Sequence, residues 1–305
     1  MKKLILLDGH AILHRAFHAL PPMTNKSGVQ TNAVYGFTTM LLQILDSQKP
    51  DFLAVAFDLP APTFRQQLYT QYQAKRPEMV GNLVEQIPLV HELLDHLKIS
   101  YFEVAGFEAD DVIGSLAKQA SGETVIVTGD RDMLQLINDH TKVCVPVKGL
   151  AQTKTYDADT VVNEFGVAPT QWVDVKALKG DASDNYPGVR GIGPKTAQDL
   201  IAKYGTLEEV YKNLRKLNPK AAKKLAEGVE SAGMSKKLAT IVTDVPVHLD
   251  LSKADALKID WESGVKFMRE KFGFKSIPEK IEKKYLKKSE PNFAKAPLGK
   301  QLGLI

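Results

Sequence analysis

Three short apolar runs punctuate the first 130 residues, and each leads to an aspartate. Leu4-Ile5-Leu6-Leu7 precedes Asp8, Phe52 to Phe57 precedes Asp58, and Val125-Ile126-Val127 precedes Thr128-Gly129-Asp130. Runs this short and this β-rich predict buried strands. Between them the apolar spacing changes to that of a helix. Tyr35, Phe37, Met40, Leu41, Ile44 and Leu45 mark a helix over 33–45, and 83–97 and 112–119 read the same way. The alternation predicts an α/β domain over residues 1–165, with a largely parallel central sheet and helices on both faces. From about 166 the pattern turns helical. Segments 171–179, 194–203, 207–214, 220–230 and 261–272 predict a helical subdomain over 166–288. One stretch breaks both patterns. Pro60, Pro62, Pro77 and Gly81 interrupt it, and Arg65, Tyr69, Tyr72, Lys75 and Arg76 decorate it, which predicts a long exposed excursion over 60–82. From Glu290 the sequence has no period and two prolines, as a flexible tail over 289–305 would.

Composition narrows this frame. The 305 residues are 44% hydrophobic, enough for a sizeable core. A single cysteine, Cys144, excludes an internal disulfide, and its apolar neighbours Val143 and Val145 place it in the core. No stretch approaches the ~20 apolar residues that cross a bilayer, so a cytoplasmic protein away from any membrane is expected. Residues 266–305 carry eleven Lys/Arg and four Asp/Glu, a balance of 11 − 4 = +7, which leaves 29 − 32 = −3 for the rest. An acidic region in one part and a basic surface in another suits an enzyme that holds metal ions and grips a polyanion.

Nine acidic residues supply the chemistry: Asp8, Asp58, Glu108, Asp110, Asp111, Asp130, Asp132, Asp181 and Asp184. Any one of them alone reads as a cap or a turn residue. Their joint pattern does not. A Gly106-Phe107-Glu108-Ala109-Asp110-Asp111 segment opens a helix, Asp130 and Asp132 follow a strand, and Asp181 and Asp184 precede a glycine-rich turn. In open α/β sheets the site lies at the carboxyl ends of the strands. Carboxylates delivered there make an anionic basin that needs cations. Oxygen-only ligands favour Mg²⁺ or Mn²⁺ over Zn²⁺.

The second motif is Gly188-Val189-Arg190-Gly191-Ile192-Gly193-Pro194-Lys195-Thr196-Ala197. Its glycines permit a tight turn, and Pro194 suits a first helical position. The free N–H groups of the new helix, with Lys195 beside them, suit a DNA phosphate.

Taken together, Asp8-Gly9, Phe57-Asp58, Phe64-Arg65, Glu108 to Asp111, Gly129 to Asp132 and Gly180 to Asn185 resemble the 5′-nuclease, or flap endonuclease, family. The likeness is to the branch formed by the N-terminal 5′→3′ exonuclease domains of bacterial DNA polymerase I. It extends over about residues 3–285, with 188–197 as the helix-hairpin-helix. The resemblance implies a two-metal nuclease that cuts branched or flapped DNA and RNA-primed DNA during primer removal and repair. Asp8, Asp58, Glu108 and Asp110 would surround one Mg²⁺, with Asp111 close by. Asp130, Asp132, Asp181 and Asp184 would surround the second. The excursion corresponds to the family's helical arch. Arg76 corresponds to the arch arginine, Arg15 to an arginine near the scissile phosphate, and Tyr72 to a base-stacking ring. The lysine that often follows that tyrosine is here Gln73, and Lys75 would carry its charge. Arg65, Gly188, Gly191, Gly193, Lys195 and Thr196 would contact DNA, and K⁺ would sit at the hairpin. The histidines His10, His14 and His18 read as surface or packing residues. A DNA-junction-binding module without catalysis and an RNA-processing nuclease are the alternatives.

The chain ends Gln301-Leu302-Gly303-Leu304-Ile305. This resembles the short peptide with which bacterial replication proteins bind the sliding clamp. Gln301, Leu302, Leu304 and Ile305 would anchor such a partner, and a monomeric, stand-alone protein is expected.

Overall fold

The computed structural model describes residues 1–148 and 152–286. At its centre is a six-stranded sheet in the order β3-β2-β1-β4-β5-β6. The strands are β1 (Lys3–Asp8), β2 (Phe52–Ala56), β3 (Ser100–Phe102), β4 (Glu123–Val127), β5 (Thr141–Lys148) and β6 (Gln152–Tyr156). All pairings are parallel except that of β5 with β6. The three apolar runs are the neighbouring strands β2, β1 and β4. Their residues alternate between two cores: Leu4, Leu6, Ala54, Ala56 and Ile126 face one, while Ile5, Leu7, Leu53, Val55, Val125 and Val127 face the other. Burial on both faces is why the runs are continuously apolar.

Six helices precede or interleave with these strands: α1 (Gly9–Ala19), α2 (Asn32–Gln48), α3 (Phe64–Leu68), α4 (Gly81–Val84), α5 (Gln86–Leu97) and α6 (Ala109–Gln119), with α7 (Ala158–Phe165) after β6. Ile12, Phe37, Leu41 and Leu94 put α1, α2 and α5 on one face, and Val112, Ile113 and Leu116 put α6 on the other. From β1 the chain runs outward through β2 and β3, then returns to the opposite side of β1 as β4. That reversal opens a crevice at the carboxyl ends of β1 and β4.

The helical part comprises α8 (Trp172–Lys179), α9 (Pro194–Tyr204), α10 (Leu207–Lys212), α11 (Pro219–Glu227) and α12 (Val229–Ala239). It shares the α6 core through Val175, Leu178, Val189, Ile201 and Leu225. Beyond residue 240 the chain returns to the α/β part. Ile241, Val245 and Leu249 join the α6 core. Val265 of α13 (Trp261–Phe267), Met268, Phe272, and Ile277 and Ile281 of α14 (Ser276–Ile281) join the opposite core. Gly264 lets α13 approach α5, since a Cβ there would lie 2.3 Å from Leu97 Cδ2. Among the described residues no helix is long and apolar enough to cross a membrane. Cys144 is free and buried in the core. The terminal peptide 301–305 lies outside the described residues.

Candidate active site

Asp8 ends β1 and caps α1. Its Oδ1 accepts the Ala11 N–H at 2.9 Å, and its Oδ2 accepts the Thr128 hydroxyl at 2.7 Å. The tight junction of β1 and α1 requires Gly9, where a Cβ would lie 2.2 Å from the Phe57 ring. That approach brings Asp8 beside Asp58. Asp58 Oδ1 accepts the Ala109 N–H at 2.8 Å, and the Asp58 N–H donates to His10 Nδ1 at 3.0 Å. Glu108 caps α6 and accepts the hydroxyls of Tyr72 at 3.1 Å and Thr63 at 3.3 Å. Asp110 follows, half-buried, in the first turn of α6.

These carboxyls feel one another. Burial pushes Asp8 up to about 7, with Asp58 and Asp130 adding and the Ala11 and Thr128 donors opposing. Burial likewise pushes Glu108 up to about 7 against the pull of Arg65. Asp110 is raised well above the usual carboxylate range, by burial and then by Asp130, Asp8, Asp58 and Glu108. Burial is the main cause, and the added repulsion among Asp8, Asp58, Glu108, Asp110 and Asp130 reflects their nearness to one another.

The second group is built from two loops. Asp130 Oδ1 accepts the Asp132 N–H at 2.7 Å as the chain enters a 3-10 turn over Arg131–Leu136. Asp181 and Asp184 lie between α8 and the hairpin, where Asp181 Oδ1 accepts the Ser183 N–H at 2.7 Å. Lys176, in the last turn of α8, lays its ammonium against both Asp132 and Asp181. Asp132 Oδ1 is buried, and the Lys176 ammonium is the group that meets it. Burial pushes Asp132 up to about 7, with Asp130 adding and Lys176 opposing. Burial acts on Asp181 too, but Lys176 and Ser183 outweigh it and hold that carboxyl well below the usual range. Asp184 is raised by burial and then by Asp130. Asp130 thus acts on Asp8 and Asp110 of the first group and on Asp132 and Asp184 of the second, and it joins the two.

Among the described residues, no three His, Cys, Asp or Glu side chains are gathered tightly enough to hold an ion as they stand. Oxygens of Asp8, Asp58, Glu108, Asp130, Asp181 and Asp184 are turned toward internal donors. The donor set still fits a hard divalent cation: it is all oxygen and largely buried, and the buried Asp132 Oδ1 is met by a cationic ammonium and by no neutral donor.

At the hairpin, Gly193 precedes α9 without a capping side chain, and Pro194 takes the first helical position. Lys195 and Thr196 are exposed beside the first turn. Gly191 has φ +81°, and its carbonyl accepts Lys224 Nζ at 2.8 Å.

Two family models match the chain: 5′-3′ exonuclease, N-terminal resolvase-like domain, over residues 3–166, and 5′-3′ exonuclease, C-terminal SAM fold, over residues 167–262. The chain belongs to the 5′-3′ exonuclease family. It is 39% identical to DNA polymerase I of Bacillus subtilis over 284 residues, which are 92% of this chain and 32% of the relative. It is 45% identical to DNA polymerase I of Caldicellulosiruptor bescii over 254 residues, 82% of this chain and 30% of the relative. The chain therefore spans under a third of the length of these curated relatives. In fold it resembles the bacteriophage T5 5′-exonuclease with bound zinc (TM-score 0.67, 18% identity, 92% of this chain and 97% of that one). It also resembles the catalytic core of Rad2 in complex with DNA substrate (TM-score 0.59, 19% identity, 92% and 90%).

Within this exonuclease family chain, several residues stand elsewhere than the sequence suggests. Arg65, expected to contact DNA, is 2% exposed. Its two Nη atoms grip Asp111 at 2.6 and 2.7 Å, and it donates to the carbonyls of Leu238 and Thr240 at 2.9 Å each. Asp111, expected beside the first metal, is fully buried and also accepts the N–H groups of Val242 and Glu108. Its oxygens are spent, so it serves the scaffold. Tyr72 is 4% exposed, with its ring stacked 6.5 Å from that of Tyr186 and its hydroxyl on Glu108. It offers no face to a base as it stands. Gly188 is buried rather than facing DNA. Its N–H donates to Ser235 Oγ, its carbonyl accepts from Ser231 Oγ, and a Cβ would lie 2.2 Å from the Gly180 nitrogen.

The excursion is folded down rather than arched away. Gln73 donates from its backbone N–H to the Asp184 carbonyl at 2.8 Å and from its side chain to Asp184 Oδ1 at 3.1 Å. Asn185 donates to the Gln71 carbonyl at 2.6 Å. Only α3 and α4, at its two ends, are helical. Lys75 and Arg76 are exposed. Lys75 lines a groove of about 460 Å³ with Gln71, Lys179 and Asp181, and the Arg76 charge acts on Asp184, His10 and His14. Arg15 lies half-buried on α1.

Sequence reasoning missed Thr128, Lys176 and Gln73 as site residues and set His10 aside. Thr128 carried a signal, since it ends the β4 run just before Gly129-Asp130. Lys176 carried only its place one helical turn before Gly180-Asp181, which many surface lysines share. Burial pushes His10 below the usual histidine range, and its Nδ1 accepts the Asp58 N–H, as the neutral ring must.

Proposed function

We propose that the chain is a structure-specific 5′→3′ exonuclease and flap endonuclease that hydrolyses DNA phosphodiesters with two divalent cations, Mg²⁺ or in its place Mn²⁺. The observation that carries this reading is the gathering of the carboxyls beyond the ends of β1, β2 and β4: Asp8 bonded to Thr128, Asp58 to the Ala109 N–H beside Glu108, and Asp132 and Asp181 sharing one ammonium. Carboxyls this buried and this close keep their charges only beside a counter-cation. Asp8, Asp58, Glu108 and Asp110 would hold one cation, and Asp130, Asp132, Asp181 and Asp184 the other. Bound there, the ions would activate a water and neutralise the leaving oxygen.

The chain's own residues would position the DNA. Arg15, Lys75 and Arg76 would hold the scissile phosphate at the rim. The first turn of α9, with Gly191, Gly193, Lys195 and Thr196, would hold a duplex phosphate without reading sequence. For a 5′ strand to pass, Tyr72 and Gln73 must release Glu108 and Asp184. The substrates would be branched or flapped DNA and RNA-primed DNA, in Okazaki-fragment primer removal and repair. The protein would act as a monomer in the cytoplasm, with a division near residue 166 between nuclease and DNA-gripping parts. K⁺ would bind at the hairpin. The peptide 301–305 would dock on a sliding clamp, and deleting it should abolish that binding in a pull-down while sparing cleavage.

The first test is cleavage of a 5′-labelled flap duplex with Mg²⁺, beside EDTA and an Asp130→Ala, Asp132→Ala variant. Metal-dependent release of the flap near the junction, lost in the variant, supports the reading. Binding of the flap without cleavage in Mg²⁺ or Mn²⁺ would replace it with a junction-binding module.

A further inference from the structure

We propose that Lys176 is a built-in counter-cation of the second acidic group, one that a divalent ion must displace to engage Asp132 and Asp181. The inference rests on the two-cation reading above and adds a competitor within the site. Lys176 is 6% exposed, and lysine is almost never buried to that degree unless it is paired. Its ammonium contacts a carboxylate from each of the two loops that form the group, Asp132 after β4 and Asp181 after α8. It therefore lies between the acids, on oxygens the second cation would need. The helix that carries it is fixed, since Val175, Ala177 and Leu178 are fully buried.

Two effects follow from one placement. Without a divalent ion, the ammonium offsets the repulsion among Asp130, Asp132, Asp181 and Asp184 and keeps the two loops together. With one, it competes, because Asp132 and Asp181 cannot give the same oxygens to both cations. The second ion then binds more weakly than the first. It is held firmly only when a DNA phosphate adds negative charge to the site, so the free protein stays partly loaded.

The test is calorimetric titration of the full chain with Ca²⁺, without DNA, for the parent protein and for Lys176→Met and Lys176→Gln. A charge within about 4–6 Å changes a carboxylate's affinity for a proton by roughly 10-fold or more, so removing the ammonium should tighten the weaker Ca²⁺ site by about 10-fold or more in both variants. The tighter site should stay within about twofold, and thermal stability in EDTA should fall. An unchanged or weakened second site in the folded variants would overturn the proposal. If neither variant folds, the parent protein still decides. Its ¹⁵N-lysine NMR spectrum should show one exchange-protected ammonium in EDTA that shifts and broadens as Ca²⁺ fills the weaker site. An ammonium signal that persists unaltered at saturating Ca²⁺ would equally overturn it. Failure of the parent protein to bind any Ca²⁺, Mg²⁺ or Mn²⁺ is a separate result that ends the two-cation reading itself.

Discussion

With both Nη atoms on Asp111 and its Nε on the Leu238 carbonyl, Arg65 ties α3 to α6 and to the end of α12. A guanidinium fits this place because its fork meets a carboxylate and two carbonyls at once. Arg65→Met leaves Asp111 buried without its partner, which costs about 3–5 kcal/mol. The Arg65→Met, Asp111→Leu double variant should recover part of that loss, because no charge is left stranded. Urea unfolding followed by circular dichroism measures both. A DNA-contacting Arg65 would give the opposite pattern, with stability within ±0.5 kcal/mol and weakened DNA affinity. The sequence marks Phe64-Arg65 and Asp111 as important, but not which pairs with which. The pairing spans 46 positions and depends on two carbonyls more than 170 residues away. Lys176 is hidden for the same reason: its meaning lies in Asp132, on a different loop.

The strands were the most legible elements, because burial on both sides writes an uninterrupted apolar run, and each run points at its carboxylate. The start of α9 was legible too, from Gly193, Pro194 and Lys195. The excursion over 60–82 was not. Its prolines announce irregular chain, but what folds it down is Gln73 bonded to Asp184, a contact across 111 positions. Residues 241–281 return to the sheet through cores whose apolar positions read equally well as part of the helical unit. At the α9 start the prediction concerns charge alone. Lys195 is exposed and its proposed target is a phosphate, so Lys195→Ala should weaken flap binding on all sequences alike. It should also lower the salt slope of log affinity by about 1. Fluorescence anisotropy with a labelled flap in Ca²⁺, at several salt concentrations, checks this. An unchanged slope would remove Lys195 from the phosphate contacts and leave the backbone of the first turn to carry the site.

Across the whole molecule, the acidic basin makes stability depend on pH in an unusual direction. Asp8 and Asp132 ordinarily titrate at 3.8 and Glu108 at 4.5, and in the folded chain each is pushed up to about 7. Asp110 and Asp184 move the same way. Between about pH 5 and 7 the folded protein therefore binds more protons than the unfolded one, and stability falls as pH rises through that window. The lowered carboxyls, such as Asp181, Asp250 and Asp260, act oppositely, but their effect is complete once pH exceeds their ordinary value of 3.8. His10 and His14, both lowered first by burial, oppose the trend between their folded values and 6.5, as two rings against five raised carboxyls. A net loss of about 2 kcal/mol lowers the Tm of a chain this size by roughly 3 °C. In EDTA the Tm should therefore be lower at pH 8 than at pH 5.5 by about that amount. Saturating Ca²⁺ should remove the difference, because ions bind the ionised carboxylates of the folded state and stabilise it by mass action. Differential scanning calorimetry at both pH values, with EDTA and with Ca²⁺, gives the four numbers needed. A Tm that rises from pH 5.5 to 8 in EDTA would mean that the carboxylates already carry their charges comfortably, and that the basin does not need a cation to be ionised.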